Sequence, residues 1–340
     1  MTQAGTTPDT SVALLLPRHT RRRVLSVEAE ASLRQIAEVR EPAGESLDAA
    51  EVASLIEGAS VALTGWGTPS LVDLLRDGDQ TVGLIAHTAG TIRHLVPEER
   101  LGDGLRVSHA AGVIAGSVAE LVVGQAITLL RQVRQFDEGL RRGEGWHDLL
   151  GRYPGHLLGS QTVGVVGSGY VGQRVIQLLL AFGCRVVVAD PYLTDERAAE
   201  LGVERVELDE LFRQSQVVTL HAPVLPSTIG MVGAAQLALL RDGAVFMNIA
   251  RAAIVDDDAL VAELRTGRFR AVLDVFPEEP IPSDSPYLTM DNVVVTPHIG
   301  GRTEETNLLQ GQAMVEEIGR YLQGQPLQYE VTPAMWQTMA

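Results

Sequence analysis

Residues 162–190 read "TVGVVGSGYVGQRVIQLLLAFGCRVVVAD". A β-branched run opens the stretch, and Gly167, Gly169 and Gly172 follow it in a G-x-G-x-x-G pattern. An apolar segment at helical spacing comes next, and a second β-branched run ends at Asp190. In a chain with 34 glycines the pattern alone would mean little. Its place between a strand and a helix gives it meaning. The first glycine allows a tight turn, the second lets a pyrophosphate approach the backbone, and the third lets the helix pack on the strand. Ser168, Tyr170 and Val171 sit in the same turn, where the free N–H groups of a helix N-terminus attract phosphate. Asp190 stands 18 residues past the last glycine, placed to accept hydrogen bonds from a ribose. Its charge repels a 2′-phosphate, and "PYLT" after it carries no arginine. The expected cofactor is NAD, not NADP.

The same rhythm continues outward. Strand-like runs recur at "QVVTLHAP", "GAVFMNIA", "FRAVLDVF" and "NVVVTPH", mostly separated by helical segments, as a doubly wound parallel sheet requires. Before residue 116 three short apolar runs, "SVALLLP", "ASVALTG" and "TVGLIAHTAG", alternate with segments able to form helices. They predict a smaller α/β domain. Ser117 and Glu120 have the spacing of a capping box. Together with the apolar periodicity of 116–143 they predict one long helix starting near a hinge. Another helix is expected over about 303–322, followed by a Gly/Pro-containing tail.

At 340 residues, two domains are the prior. Lys and Arg number 27 against 43 Asp and Glu, a net charge of −16 that argues against nucleic acid or an anionic membrane as partner. Cys184 is the only cysteine, so no internal disulfide or cysteine-based metal cluster can form. No metal site is expected. The start, "MTQAGTTPDT", reads as a loose polar tail without the pattern of a signal peptide. No apolar run was expected to reach the roughly 20 residues of a membrane span. The cytoplasm is the expected compartment.

Three polar residues follow the later strands: Arg251 after "AVFMNIA", Glu279 in "FPEEP" and His298 in "TPHIGG". The C-terminal ends of parallel strands converge on a ligand crevice, so these distant residues should meet. A guanidinium can hold a carboxylate with two hydrogen bonds. An imidazole can exchange a proton near neutral pH. A carboxylate bonded to that imidazole fixes its tautomer and favours its charged form. Hydride transfer coupled to proton transfer at oxygen needs such a set.

With these residues the chain resembles the D-isomer-specific 2-hydroxyacid dehydrogenase family. The matching pieces are "VGVVGSGYVGQRV", "AD" at 189–190, "LHAPVLPST", "GAVFMNIARAAIVDDDALVAELRTGR", "AVLDVFPEEP" and "TPHIGG", in order over about 150–301. The resemblance implies two Rossmann-like parallel-sheet domains, one flavodoxin-like and one doubly wound, with a cleft between them. Residues 116–302 would bind NAD, and 1–115 with 303–340 would form a discontinuous substrate domain. Arg251 would bind the substrate carboxylate, with His298 as acid/base and Glu279 as its partner. His221, Ala222, Pro223, Thr228, Ile249, Ala250, Arg251, His298 and Gly300 would line the cofactor, with Asp274 near the nicotinamide carboxamide. In "HTAGTIRHLV", the amides of Ala89 and Gly90 would bind the substrate carboxylate.

Two departures stand out. Ala252 replaces the glycine that usually follows the arginine. Arg93 and His94 stand near the place of a missing acidic residue, which implies either an additional anionic group on the substrate or a solvent-facing arginine. A homodimer through the NAD-binding domain is implied, as is a small 2-oxo or 2-hydroxy acid substrate. A rival reading is a non-enzymatic NAD-sensing scaffold like the C-terminal-binding-protein corepressors. Phosphite as an alternative reductant has no specific support, and an NADP-linked reductase is disfavoured by Asp190.

Overall fold

A computed structural model describes residues 10–76 and 81–339; all of the expected N-terminal tail except Thr10 lies outside these residues. The chain divides into two compact units. Unit 1 runs to Ile114 and resumes at Arg302, and unit 2 is Ala115–Gly301.

Unit 1 contains β1 (Ser11–Leu15), β2 (Glu38–Arg40), β3 (Val61–Thr64), β4 (Leu84–His87) and β5 (Arg106–His109). They form one sheet in the order β2-β1-β3-β4-β5, with every neighbouring pair parallel. This is the flavodoxin-like order, whose direction of growth reverses between β1 and β3. The inner strands are buried along their length, as near-continuous Ala, Val, Leu and Ile runs require when helices cover both faces. β2 and β5 escape the sequence reading because "EVR" and "RVSH" are short and polar. The Glu304–Leu322 helix, capped by Thr303, packs on this sheet. The tail that follows is folded: Val331 N donates to Val107 O at 2.7 Å, and Trp336 is buried in the core.

Unit 2 contains β6 (Thr162–Val166), β7 (Arg185–Ala189), β8 (Glu204–Arg205), β9 (Val217–Leu220), β10 (Val245–Asn248), β11 (Arg270–Leu273) and β12 (Val293–Val295). All neighbours are parallel in the order β12-β11-β10-β9-β6-β7-β8. Growth reverses between β6 and β9, the doubly wound arrangement with one further strand at the β12 edge. Phe212, Phe246 and Phe269 anchor one core layer.

The helix expected over 116–143 differs in three ways. It starts earlier, at Ala111, so Ser117 is an interior residue and not a cap. Its hydroxyl instead donates to Gly300 O at 2.9 Å. The helix ends at Leu130, where Gln132 adopts φ +52°, and a separate helix covers Val133–Arg141. At 20 residues, Ala111–Leu130 is also long and apolar enough to cross a membrane by length and composition, contrary to expectation. Its buried residues Ala115, Val118, Ala119, Val122, Ala126 and Leu129 recur on one face, the pattern of a core helix.

Candidate active site

The glycine turn has the geometry its spacing predicts. Gly167 lies at φ +91°, and a Cβ there would sit 2.9 Å from the backbone of His221 and Ala222. A Cβ on Gly172 would sit 2.1 Å from Gly167 O, so the helix could not approach the strand. At Gly169 nothing lies within 4 Å, and this residue precedes the first turn of the Tyr170–Ala181 helix. That open face beside free helical N–H groups suits a phosphate. Asp190 Oδ2 accepts from both Ser168 N and Ser168 Oγ at 2.7 Å, and Oδ1 accepts from Tyr192 N at 2.9 Å. Its carboxylate therefore braces the turn, and Oδ1, which accepts a single bond, keeps a lone pair for a ribose hydroxyl.

After β9, His221 N donates to Val166 O at 2.7 Å, tying this segment to β6. Burial pushes the His221 imidazole down to about 3, so it is neutral at physiological pH. The Thr228 hydroxyl donates to Pro223 O at 2.6 Å and accepts from Leu225 N at 2.8 Å. It closes its own turn, which leaves less of it for a cofactor than expected. After β10, Asn248 organises the next turn: its Oδ1 accepts from Ala250 N at 3.1 Å and its Nδ2 donates to Arg251 O at 3.0 Å. Asn248 therefore sets the path of Ile249–Arg251. An asparagine ending the apolar run "AVFMN" is the only signal the sequence carries for this role; its burial shows only in the structure. Burial lowers the Arg251 guanidinium below its ordinary range, partly offset by the charge of Glu279.

Asp274, immediately after β11, is 1% exposed. Its Oδ1 accepts from Thr296 Oγ1 at 2.6 Å and Ile299 N at 2.8 Å, and its Oδ2 accepts from Gly300 N at 2.8 Å. Asp274 is turned toward its own chain and holds the loop that carries His298. A Cβ on Gly300 would lie 2.8 Å from Ile249 Cγ2, so this loop sits tight against the Arg251 turn. Between its anchors His298 adopts φ +53°, in the left-handed region that non-glycine residues seldom occupy. The loop thereby presents the imidazole to Glu279, whose Oε2 lies 2.8 Å from His298 Nδ1. Glu279 Oε1 accepts from Phe276 N at 3.1 Å. Desolvation pushes Glu279 up, but the bonds from His298 and Phe276 N and the charges of His298 and Arg251 outweigh it, leaving its carboxyl below the usual range.

With Nδ1 committed to Glu279, Nε2 is the imidazole nitrogen left for proton exchange. Three neighbouring strands, β10, β11 and β12, thus bring Arg251, Asp274 and His298 to one sheet edge of unit 2, with Glu279 beside the histidine.

In unit 1, the Ala89 and Gly90 carbonyls accept from Ala110 N at 3.0 Å and His109 Nδ1 at 2.9 Å, while their N–H groups take no acceptor among the described residues. Arg93 is placed otherwise than expected. Its Nε donates to Met339 O at 2.9 Å, its Nη2 bonds Trp336 O, and the guanidinium stacks 5.2 Å from the Trp336 ring. It clamps the folded tail, which explains an arginine here without any substrate anion. Among the described residues no group of His, Cys, Asp and Glu suits a metal ion.

Replacing Asp274 by Asn would turn one of its two oxygens into a donor, set against either the Gly300 N–H or the Ile299 N–H and Thr296 hydroxyl. Asp274→Asn should cost roughly 1–3 kcal/mol of stability in denaturant unfolding and shift the His298 ring signals in NMR spectra. A variant as stable as the parent, with unmoved imidazole signals, would remove Asp274 from this anchoring role.

Residues 123–300 match the family model described as the D-isomer specific 2-hydroxyacid dehydrogenase, NAD binding domain. D-3-phosphoglycerate dehydrogenase of Methanocaldococcus jannaschii is 35% identical over 86% of this chain and 55% of its own length. Hydroxypyruvate reductase of Thermotoga maritima is 33% identical over 83% of this chain and 91% of its own. The chain thus spans about half the length of the phosphoglycerate dehydrogenase it matches and nearly all of the reductase. A phosphoglycerate oxidoreductase structure from Rhizobium etli superposes with a TM-score of 0.79 at 26% identity, covering 95% of this chain and 97% of that one. On these likenesses and its cofactor-binding domain, the chain belongs to the D-isomer-specific 2-hydroxyacid dehydrogenase family.

Proposed function

We propose that the chain catalyses reversible reduction of a small 2-oxo acid to the 2-hydroxy acid with NADH as reductant. The observation that carries this reading is the 2.8 Å contact between Glu279 Oε2 and His298 Nδ1, formed on the sheet edge that also bears Arg251. NAD(H), when bound at the glycine turn and Asp190, supplies or accepts the hydride at C2.

The protein's own groups do the rest. Arg251 holds the substrate carboxylate and polarises the neighbouring carbonyl. In unit 1, the Ala89 and Gly90 N–H groups take no acceptor among the described residues and are suited to donate to a carboxylate. His298, charged and oriented by Glu279, gives the Nε2 proton to the carbonyl oxygen as C2 is reduced. In the reverse direction neutral His298 takes the hydroxyl proton. Glu279 stays ionised throughout: its depressed pKa means that acidification must pass below the ordinary carboxylate range before the pair is lost.

We further assign a homodimer through unit 2. Val133, Leu140, Trp146, Leu150 and Leu157, on or beside the Val133–Arg141 and Trp146–Arg152 helices, are all exposed. Large apolar side chains gathered this way mark a protein interface, and a second copy supplies a matching face.

Each assignment has a direct check. His298→Ala should reduce turnover by at least ~10²-fold while NADH binding, followed by fluorescence, stays intact; undiminished turnover removes His298 from the mechanism. In the parent, NADH-linked reduction should hold on acidification down to the ordinary carboxylate range, because Glu279 stays ionised there. Asp190→Ala should weaken NADH binding and raise the relative use of NADPH, and an unaltered preference would contradict its role. Light scattering should show a dimer for the parent and a monomer for Trp146→Glu combined with Leu150→Glu; a monomeric parent would sink the dimer assignment.

A further inference from the structure

The sheet of unit 1 reverses its direction of growth between β1 and β3, and open parallel sheets bind ligands beyond the strand C-termini at such a point. The chain leaves β1 through Leu16 and Pro17 into the Arg18–Val24 helix, and leaves β3 through Gly65 and Trp66. Buried Thr20 fastens the two exits by donating its hydroxyl to Trp66 O at 2.8 Å. The Arg302 guanidinium lies over the Trp66 ring, 5.9 Å from its centroid. Arg23, on the same helix as Thr20, is near enough for its charge and that of Arg302 to repel. Burial, reinforced by that repulsion, pushes the Arg23 guanidinium below its ordinary range.

Neither arginine has a carboxylate or hydrogen-bond partner among the described residues, and Arg23 Nε is buried without an acceptor. Partners are not scarce on this helix. Arg18 pairs with Glu45 at 2.7 Å, and Arg21 pairs with Glu30 and Glu41 at 2.7 Å each. Glu304 and Glu305 follow Arg302 closely in sequence, yet are exposed and form no ion pair with it. In a chain with 16 more acidic than basic residues, an exposed and a partly buried arginine that meet no carboxylate, one of them stacked on an aromatic ring, leave positive charge that an anion would join favourably. Planar guanidinium forks match the oxygens of phosphate and carboxylate.

We propose that Arg23 and Arg302, backed by Trp66, form an oxyanion site at the β1/β3 switch point, taking a phosphate or carboxylate group on a small molecule. Two sources share that chemistry: a free oxyanion such as inorganic phosphate, or the distal acidic group of a 2-oxo acid. The second source rests on the dehydrogenase reading above; the site itself rests on unit 1 alone.

The test uses the full chain and three variants, Arg302→Gln, Arg23→Gln and Arg302→Lys, with NADH binding as the control for folding. Inorganic phosphate is titrated at constant ionic strength against chloride by calorimetry. In parallel, kcat/KM is measured for a monoanionic 2-oxo acid, a 2-oxo dicarboxylate and a phosphorylated 2-oxo acid. A free oxyanion as occupant predicts phosphate binding that weakens at least about tenfold in both Gln variants and partly recovers in Arg302→Lys. A distal substrate group predicts that the preference for the doubly anionic acids over the monoanionic one falls at least about tenfold in the Gln variants. Arg302-dependent phosphate binding with no turnover of any acid would end the dehydrogenase reading and leave the anion site standing. Phosphate affinity and acid preference both unchanged by Arg302→Gln and Arg23→Gln would overturn the proposal.

Discussion

The chemistry assigned to this chain depends on one buried carboxylate whose three hydrogen bonds go to its own chain. Asp274 gathers the Thr296 hydroxyl and the Ile299 and Gly300 amides. That grip does most to hold His298 at φ +53°. A residue in the left-handed region persists only when its surroundings over-determine it. Two further contacts reinforce the loop: Ser117 Oγ on Gly300 O, and the tight approach of Gly300 to Ile249. The imidazole is thus aimed by the backbone on both sides of it, and Glu279 has only to receive Nδ1. The strain is local and the anchors are distributed, which is how a fixed geometry survives at a half-buried side chain.

Environment, more than residue type, separates the histidines. His221 and His87 are both pushed down to about 3, in each case chiefly by burial. At His87, the charges of His94 and His109 add to that effect. Both rings hydrogen-bond threonine hydroxyls, Thr219 and Thr64, partners that do not compensate a positive charge. His298 instead has a carboxylate whose own pKa is depressed by the partnership. His87 and His221 are therefore neutral and structural, whereas His298 is the one of the three that faces a carboxylate.

Much of this was legible from the sequence because parallel sheets convert order along the chain into position in space. The glycine turn, its aspartate and the strand-end positions of Arg251 and His298 followed from β-branched runs meeting polar residues. What escaped had weak local signals. β2 and β5 are three and four residues long and carry charges, and their pairing is decided by the neighbouring strand. Ser117 has the spacing of a cap, yet helical propensity runs back to Ala111 and its hydroxyl found a carbonyl far along the chain. Arg93 looked like a ligand contact since its acceptors, Met339 O and Trp336 O, are more than 240 residues distant. The internal duty of Asp274 was hidden because a loop's hydrogen bonds leave no periodicity.

Charge gives the last connection. A net charge of −16 repels a small anion from most of the surface, yet screening limits that repulsion to about 8 Å at physiological ionic strength. Inside that range individual guanidinium groups decide the outcome. Most described arginines here are spent on surface carboxylates, as in the Arg134–Glu138 and Arg141–Asp137 pairs, where each contributes little to stability. Arg251 and Arg23 differ because burial lowers the pKa of both. A desolvated guanidinium has lost water that an anion can replace, so its attraction for oxyanions exceeds that of a solvated one. On the proposed reading, attraction of anionic ligands in this acidic protein would be a property of a few partly buried arginines, insensitive to the sign of the surface as a whole.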